Sequence, residues 1–214
     1  MNQTIRAYLG GSFDPIHLGH LQMAATVFDT LKRHRPTCDI HVYLLPTAGN
    51  PFKSQPTSDK HRTAMLQLAA AGTPIGIDTF ELSVPPPVFT IDTVKHLAHQ
   101  HPNDRRIFIV GQDSLHALPT WKSGDKILDF VNIWAFHRSN LSEPLPPSLS
   151  PLITDSLSKF LDKSHQIYQD TTPIIATSSS QIRSMLANNN PKAEQFLSVN
   201  VANYIKNHAL YVKL

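Results

Sequence analysis

The most informative part of the sequence is Gly10-Gly11-Ser12-Phe13-Asp14-Pro15-Ile16-His17-Leu18-Gly19-His20. An apolar run at 5–9 precedes it and predicts a β-strand, and apolar residues recur at helical spacing over 17–33. Two glycines at the end of a strand permit a tight turn and leave room for a ligand close to the backbone. The stretch therefore predicts a strand, a ligand-binding turn and a helix in direct succession.

The two histidines of this stretch are well placed to bind phosphate. His17 and His20 are three residues apart, so the first turn of the predicted helix puts both on one face. The start of a helix also presents N–H groups without intrahelical partners and the positive end of the helix dipole, which together bind anions. A His-x-x-His pair is compatible with zinc too, although no Glu or Cys stands nearby in the sequence as a third ligand. The stretch matches neither the dinucleotide fingerprint nor the P-loop.

Strand and helix patterns alternate along the rest of the chain. Apolar runs predict further strands at 40–45, 75–77, 107–110 and 131–136, and a weaker one at 174–175. Helical spacing predicts two further helices, at 59–71 with Asp59 as its cap and at 90–101. This alternation is typical of an α/β fold with a doubly wound parallel sheet, whose ligands bind beyond the carboxyl ends of the strands.

Length and composition fit one domain covering 1–214. The 41% of hydrophobic residues can fill a single core, and the stretch 139–150, rich in Ser, Pro and Leu, predicts an irregular surface excursion rather than a second domain. The net charge of +3 comes from scattered Lys and Arg, which argues against a nucleic-acid surface but suits phosphorylated small substrates. The start lacks a signal-peptide core, no stretch reaches the ~18 apolar residues of a membrane span, and Cys38 is the single cysteine. We therefore expect a cytoplasmic protein.

With this pattern, the chain resembles the HxGH nucleotidyltransferase superfamily, and specifically the bacterial nicotinate-nucleotide adenylyltransferases, over nearly its whole length. A second motif, Thr177-Ser178-Ser179-Ser180-Gln181-Ile182-Arg183, is similar to the family's Ile-Ser-Ser-Thr-x-Ile-Arg, with Thr and Ser in place of Ile and Thr. A serine run before Ile182 predicts a helix cap beside a phosphate, and Arg183 adds a planar cationic fork. The resemblance implies a catalytic set of His17, His20 and Arg183. It implies an ATP site made of Gly10, Gly11, Ser12, Phe13, His17, His20, Gly111, Asp113, Ser178, Ser179 and Arg183.

The middle of the chain carries the resemblance to the mononucleotide site. Gly111-Gln112-Asp113 followed by Trp121 is similar to the family's Gly-x-Asp and tryptophan, which implies that Asp113 contacts a ribose and Trp121 stacks on the pyridine ring. The resemblance also implies that Phe89 and Thr90 lie next to the nicotinate carboxylate and that Arg138 lies near the mononucleotide. One departure is Pro51-Phe52-Lys53, where the family has Pro-His-Lys or Pro-His-Arg. It weakens the expectation that Lys53 contacts phosphate.

The implied reaction transfers the adenylyl group of ATP to nicotinate mononucleotide, giving deamido-NAD and pyrophosphate. The implied partners are these two substrates, with Mg²⁺ accompanying ATP and held by phosphates and water rather than by protein ligands. Three alternatives stay open. The first is another adenylyl- or cytidylyltransferase of the superfamily, acting on a different phosphate such as phosphopantetheine, although Trp121 and Phe89-Thr90 speak against it. The second is a nucleotide-binding module without catalysis, and the third is a zinc protein built on His17 and His20.

Overall fold

The β-strands form one sheet in the computed structural model, which describes residues 3–48, 57–137 and 144–212. They are β1 (Thr4–Gly11), β2 (Asp39–Pro46), β3 (Ile75–Ile77), β4 (Arg105–Gly111), β5 (Asn132–Phe136), β6 (Ile153–Thr154) and β7 (Ile167–Asp170). Neighbouring strands pair in parallel, in the order β3-β2-β1-β4-β5-β7-β6. The order changes direction between β1 and β4, and a doubly wound sheet binds its ligands at the carboxyl ends of such a pair.

Helices cover both faces of this sheet. They are α1 (Leu18–His34), α2 (Asp59–Ala70), α3 (Thr90–Gln100), α4 (Gln112–Ala117), α5 (Leu157–Asp162), α6 (Ser179–Ala187) and α7 (Val199–Asn207). Buried residues of α1, α2, α5, α6 and α7 share one apolar core, and those of α3 and α4 share the other. The prediction of a doubly wound parallel sheet is confirmed.

The central strands show why the sequence folds this way. Along β4, Ile107 and Ile109 point into the first core, whereas Phe108 and Val110 point into the second. A strand that is apolar on both sides must be covered on both sides, so the continuous apolar run at 107–110 requires helices above and below it.

Two predicted details were wrong. Residues 174–175 form no strand: the Ile175 N–H donates to the Gln22 side chain (2.8 Å), whose amide donates to the Pro173 carbonyl (3.0 Å). The backbone of this segment thus bonds to a side chain of α1 instead of a neighbouring strand. Asp59 is not the cap of α2, because Ser58 accepts the hydrogen bond from the His61 N–H at 3.5 Å.

The predicted surface excursion at 139–150 lies partly outside the described residues. From residue 144 onward the chain is irregular, and 150–152 form a single 3₁₀ turn. Leu149 is buried in the second core, so the later part of this stretch is anchored to the fold.

Candidate active site

The turn after β1 is packed tightly against the sheet. Phe13 is fully buried and has a positive φ of 48°, which few residues other than glycine adopt. A Cβ on Gly10 would lie 2.7 Å from the ring of Phe108, so the strand can end there only with glycine unless that ring moves. The predicted ATP-site residues Gly10, Gly11, Ser12 and Phe13 therefore form one closely packed turn at the carboxyl end of β1.

His17 and His20 lie together at the start of α1, as predicted. His17 is the N-cap residue and only 3% exposed, and its ring stacks on that of His20 with 3.6 Å between centroids. The His17 N–H donates to Nδ1 of His20 at 3.4 Å. Because Nδ1 accepts, the neutral His20 ring carries its proton on Nε2, which makes that atom a donor. The Phe13 and His20 rings pack edge to face with 5.0 Å between centroids, and this contact fixes the orientation of His20.

Gly19, between the two histidines, meets the backbone of a distant segment. A Cβ at this position would lie 2.9 Å from the Ile175 carbonyl oxygen and 3.1 Å from Nδ1 of His17. The two hydrogen bonds of Gln22 to Pro173 and Ile175 hold that segment in place. The glycine of the His-x-Gly-His pattern therefore has a steric reason, since a side chain at position 19 would push the segment away from α1.

The second motif packs directly against the first. Ser178 caps α6 by accepting from the Gln181 N–H at 3.2 Å. Ser179 donates its hydroxyl to the Pro15 carbonyl (2.9 Å), and Arg183 donates to the Asp14 carbonyl (2.6 Å). The start of α6 and Arg183 thus adjoin the turn that leads into α1. The predicted helix cap is confirmed. The Ser178 hydroxyl caps α6, and the Ser179 hydroxyl ties the start of α6 to the turn before α1.

Asp14 joins three parts of the chain, a role that sequence reasoning missed. The residue is 5% exposed. Its carboxylate accepts from the Tyr211 hydroxyl at 2.6 Å and from the Thr57 N–H at 3.3 Å, and it lies 3.8 Å from Nη1 of Arg183. No sequence pattern around Tyr211 indicates this contact, because the two residues are 197 positions apart.

Arg62 of α2 is a second missed residue. It is wholly buried and donates to the carbonyls of Ser12 (2.7 Å) and Thr47 (2.8 Å), so it ties together the loops that follow β1 and β2. It also pairs with Asp59 at 2.5 Å. A signal existed in the sequence, because Arg62 shares helical spacing with the buried Met65 and Leu66 and so puts a charge on an apolar face.

The predicted ribose residue lies at the same edge of the sheet. Gly111 ends β4 and caps α4, and Asp113 is exposed in the first turn of that helix. Residue 9 of β1 pairs with residue 109 of β4, so the ends of the two strands lie side by side. Asp113 therefore lies at the same edge of the sheet as the β1 turn.

The residues predicted for the mononucleotide also come together. Phe89 caps α3 and Thr90 is its first residue, as predicted, while Trp121 is half-buried against the second core. Nζ of Lys122 lies 4.2 Å from the centroid of the Phe89 ring, so the tryptophan segment and the start of α3 are in contact. Lys122 was not singled out from the sequence, although its place beside Trp121 was a signal. Lys53 and Arg138 lie outside the described residues.

The described residues contain neither a candidate metal cluster nor a membrane-spanning helix. Among residues 3–48, 57–137 and 144–212, no three His, Cys, Asp or Glu side chains cluster in a way that could hold a metal ion. His17 and His20 thus have no third ligand of these types within that part of the chain. None of the helices described there is long and apolar enough to cross a membrane.

This fold and site define the class of protein. Two helix starts, two imidazoles and one guanidinium adjoin the turn that follows β1, and the cytidylyltransferase-like family model matches residues 8–185. The chain is 35% identical to a protein of Symbiobacterium thermophilum named probable nicotinate-nucleotide adenylyltransferase, over 97% of this chain and 95% of that protein. It is 32% identical to an Aeromonas hydrophila protein of the same name, over 95% of each.

A solved structure supports the fold. That of Plasmodium falciparum nicotinic acid mononucleotide adenylyltransferase complexed with NaAD matches with a TM-score of 0.75 over 98% of both chains, at 21% identity. The chain is a nucleotidyltransferase of the cytidylyltransferase-like family. Within that family it belongs to the nicotinate-nucleotide adenylyltransferases.

Proposed function

We propose that this chain transfers the adenylyl group of ATP to nicotinate mononucleotide, forming deamido-NAD and releasing pyrophosphate, a late step in NAD biosynthesis. The observation that carries this proposal is the junction of the two motifs. Ser179 and Arg183 bond to the backbone of Pro15 and Asp14, immediately before the histidine pair. Two helix starts and the side chains of His17, His20 and Arg183 thus adjoin the turn that follows β1, and groups of these kinds bind anions.

The chemistry requires positioning rather than a covalent intermediate. A phosphate oxygen of the mononucleotide forms a bond to the α-phosphorus of ATP, and the bond from that phosphorus to the bridging oxygen of pyrophosphate breaks. The nucleophile is already anionic near neutral pH, so no enzyme base is needed. Negative charge shifts onto the leaving pyrophosphate, and fixed donors around the triphosphate stabilise that charge.

The geometry supports a distinct role for each member of the catalytic set. His20 is oriented by Phe13 and by the His17 N–H, which leaves Nε2–H as its donor atom. Arg183 offers a planar cation with several N–H groups, suited to phosphate oxygens. We assign His17, His20 and Arg183 to the triphosphate, with His20 as the residue that steadies the transition state.

The acceptor assignment draws on the other half of the site. Trp121 offers an aromatic face to a pyridine ring, and the start of α3 at Thr90 offers N–H donors to a carboxylate. A carboxylate accepts with both oxygens, whereas a carboxamide would turn its NH₂ toward a donor. The Lys122 ammonium beside Phe89 adds positive charge in the same place. These features support the acid rather than the amide as substrate.

Magnesium enters this proposal as part of the substrate. Mg²⁺ is usually held by phosphate oxygens and water together with at most a few protein ligands, so we propose that ATP binds as its magnesium complex. We also place the reaction in the cytoplasm, where a lone Cys38 would stay reduced.

The direct experiment incubates the purified chain with MgATP and, separately, nicotinate mononucleotide, nicotinamide mononucleotide and phosphopantetheine. We expect pyrophosphate and deamido-NAD in equal amounts with the first acceptor. Turnover with phosphopantetheine alone would assign the chain to another reaction of the superfamily. Binding of ATP without pyrophosphate release from any acceptor would favour the non-catalytic module.

A further inference from the structure

The segment that follows α7 returns to the β1 turn. There the Tyr211 hydroxyl donates to Oδ1 of Asp14 at 2.6 Å, and the Tyr211 ring packs against the apolar core on the side of α1. Burial and the hydrogen bond to Asp14 raise the pKa of the Tyr211 phenol above its usual value. The hydroxyl therefore keeps its proton and remains a hydrogen-bond donor at and well above neutral pH.

The backbone of this segment has an uncommon shape. Ala209 and Tyr211 have φ values of 48° and 64°, in the left-handed region that residues with a Cβ rarely adopt. The Leu210 N–H between them donates to the Ile205 carbonyl at 3.0 Å, which ties the turn to the end of α7. Conformations of this kind persist where the surrounding contacts hold them, and they gather at functional sites.

The contacts of Asp14 show what this turn achieves. Oδ2 of Asp14 accepts from the Thr57 N–H at 3.3 Å and lies 3.8 Å from Nη1 of Arg183, the same atom that donates to the Asp14 carbonyl at 2.6 Å. A carboxylate is planar, so a bond at Oδ1 also determines where Oδ2 lies. That bond further draws negative charge toward Oδ1 and weakens the attraction of the carboxylate for Arg183.

We propose that Tyr211 is a positioning residue for adenylyl transfer: it holds the Asp14 carboxylate so that Arg183 is braced by Asp14 yet remains available to the triphosphate. The proposal rests on the assignment of Arg183 to the triphosphate under the proposed function. Without the phenol, Asp14 rotates toward Arg183 and competes with ATP for the guanidinium. In this proposal Tyr211 acts on ATP binding through Asp14 and Arg183 rather than by direct contact.

The test compares two single-hydroxyl deletions in the full-length chain. Tyr211→Phe should lower kcat/KM for ATP about tenfold and weaken binding of a non-hydrolysable ATP analogue to a similar extent, as loss of a hydrogen bond to a charged group does. The KM for nicotinate mononucleotide at saturating ATP should change less than about twofold. The control is Tyr204→Phe, which removes a hydroxyl that is hydrogen-bonded to Nδ1 of His61 at 2.9 Å rather than to Asp14. It should leave both ATP readouts unchanged.

A double variant distinguishes a positioning role of Tyr211 from a general contribution to packing. In Arg183→Lys, adding Tyr211→Phe should change kcat/KM by less than about twofold, because residues that act through one another are not additive. The proposal is overturned if Tyr211→Phe binds the ATP analogue normally, if Tyr204→Phe has the same effect, or if the tenfold loss persists in Arg183→Lys. Failure of the proposed function looks different, because the unmodified chain would then form no deamido-NAD. The ATP-analogue affinities test the role of Tyr211 in either case.

Discussion

His20 combines a fixed ring with a donor atom. Its Nδ1 is engaged by the His17 N–H and its ring is held between Phe13 and His17, so Nε2 has a defined direction before any ligand binds. A donor fixed in advance stabilises developing charge without reorganisation when the reaction occurs. In the proposed mechanism, His20 acts through that preorganisation more than through its charge.

We therefore expect His20→Ala to lower kcat on the order of a hundredfold or more while the protein remains folded. The matched control is His34→Ala, which removes an imidazole from the exposed last residue of the same helix. Steady-state kinetics and circular dichroism of both variants would decide the matter. A near-normal kcat for His20→Ala would remove His20 from the mechanism.

Lys122 is the residue whose positive charge should favour nicotinate mononucleotide over nicotinamide mononucleotide. Its ammonium lies over the Phe89 ring at the start of α3, and the side chain is exposed, so its attraction for a carboxylate is modest. We expect Lys122→Gln to lower kcat/KM for nicotinate mononucleotide roughly threefold and to leave that for nicotinamide mononucleotide unchanged. Lys126→Gln, another exposed lysine in the turn that follows, serves as the control. An equal loss for both substrates would show that Lys122 does not read the carboxylate.

At the scale of secondary structure, the start of α1 packs closely against the irregular segment 173–175. On helix propensity alone, Gly19→Ala would stabilise α1 by up to about 1 kcal/mol. The added Cβ would instead lie 2.9 Å from the Ile175 carbonyl, and overpacking of this kind costs about 1–3 kcal/mol. The steric term exceeds the propensity term, so the variant should lose stability.

We expect Gly19→Ala to lower both the thermal midpoint and kcat, because the 173–175 segment and the histidine pair are displaced together. Ala25→Gly makes the reverse change at an exposed position of the same helix. It should lower the midpoint through propensity and leave kcat intact. Thermal melts and kinetics on the two variants provide the comparison, and an unchanged kcat in Gly19→Ala would refute the steric reason for this glycine.

Most helices and strands were predictable because their signals are local. The continuous apolar run of β4, the cap at Ser178 and the glycine turn after β1 are all readable within a few residues. The segment at 174–175 was predicted as a strand because two isoleucines follow one another. Its backbone bonds go to Gln22, more than 150 positions earlier, and no local pattern reveals such a partner.

At the scale of the whole molecule, the sheet brings the two motifs together. The motif residues themselves could be predicted because glycines, histidines and a capped arginine each carry their chemistry in the sequence. Their support could not, because it comes from side chains remote in sequence: Tyr211 on Asp14, and Arg62 on the loops after β1 and β2. These contacts with the turn after β1 exist only in the folded chain.

The identity of the acceptor is tested most directly by one ratio, that of kcat/KM for nicotinate mononucleotide to kcat/KM for nicotinamide mononucleotide, at saturating MgATP. In the proposed complex the amide would turn its NH₂ toward the donors at the start of α3, and an unsatisfied donor in such a site costs about 1–3 kcal/mol. We therefore predict a ratio of roughly ten to a hundred or more in favour of the acid. A ratio of one or below would contradict nicotinate mononucleotide as the substrate.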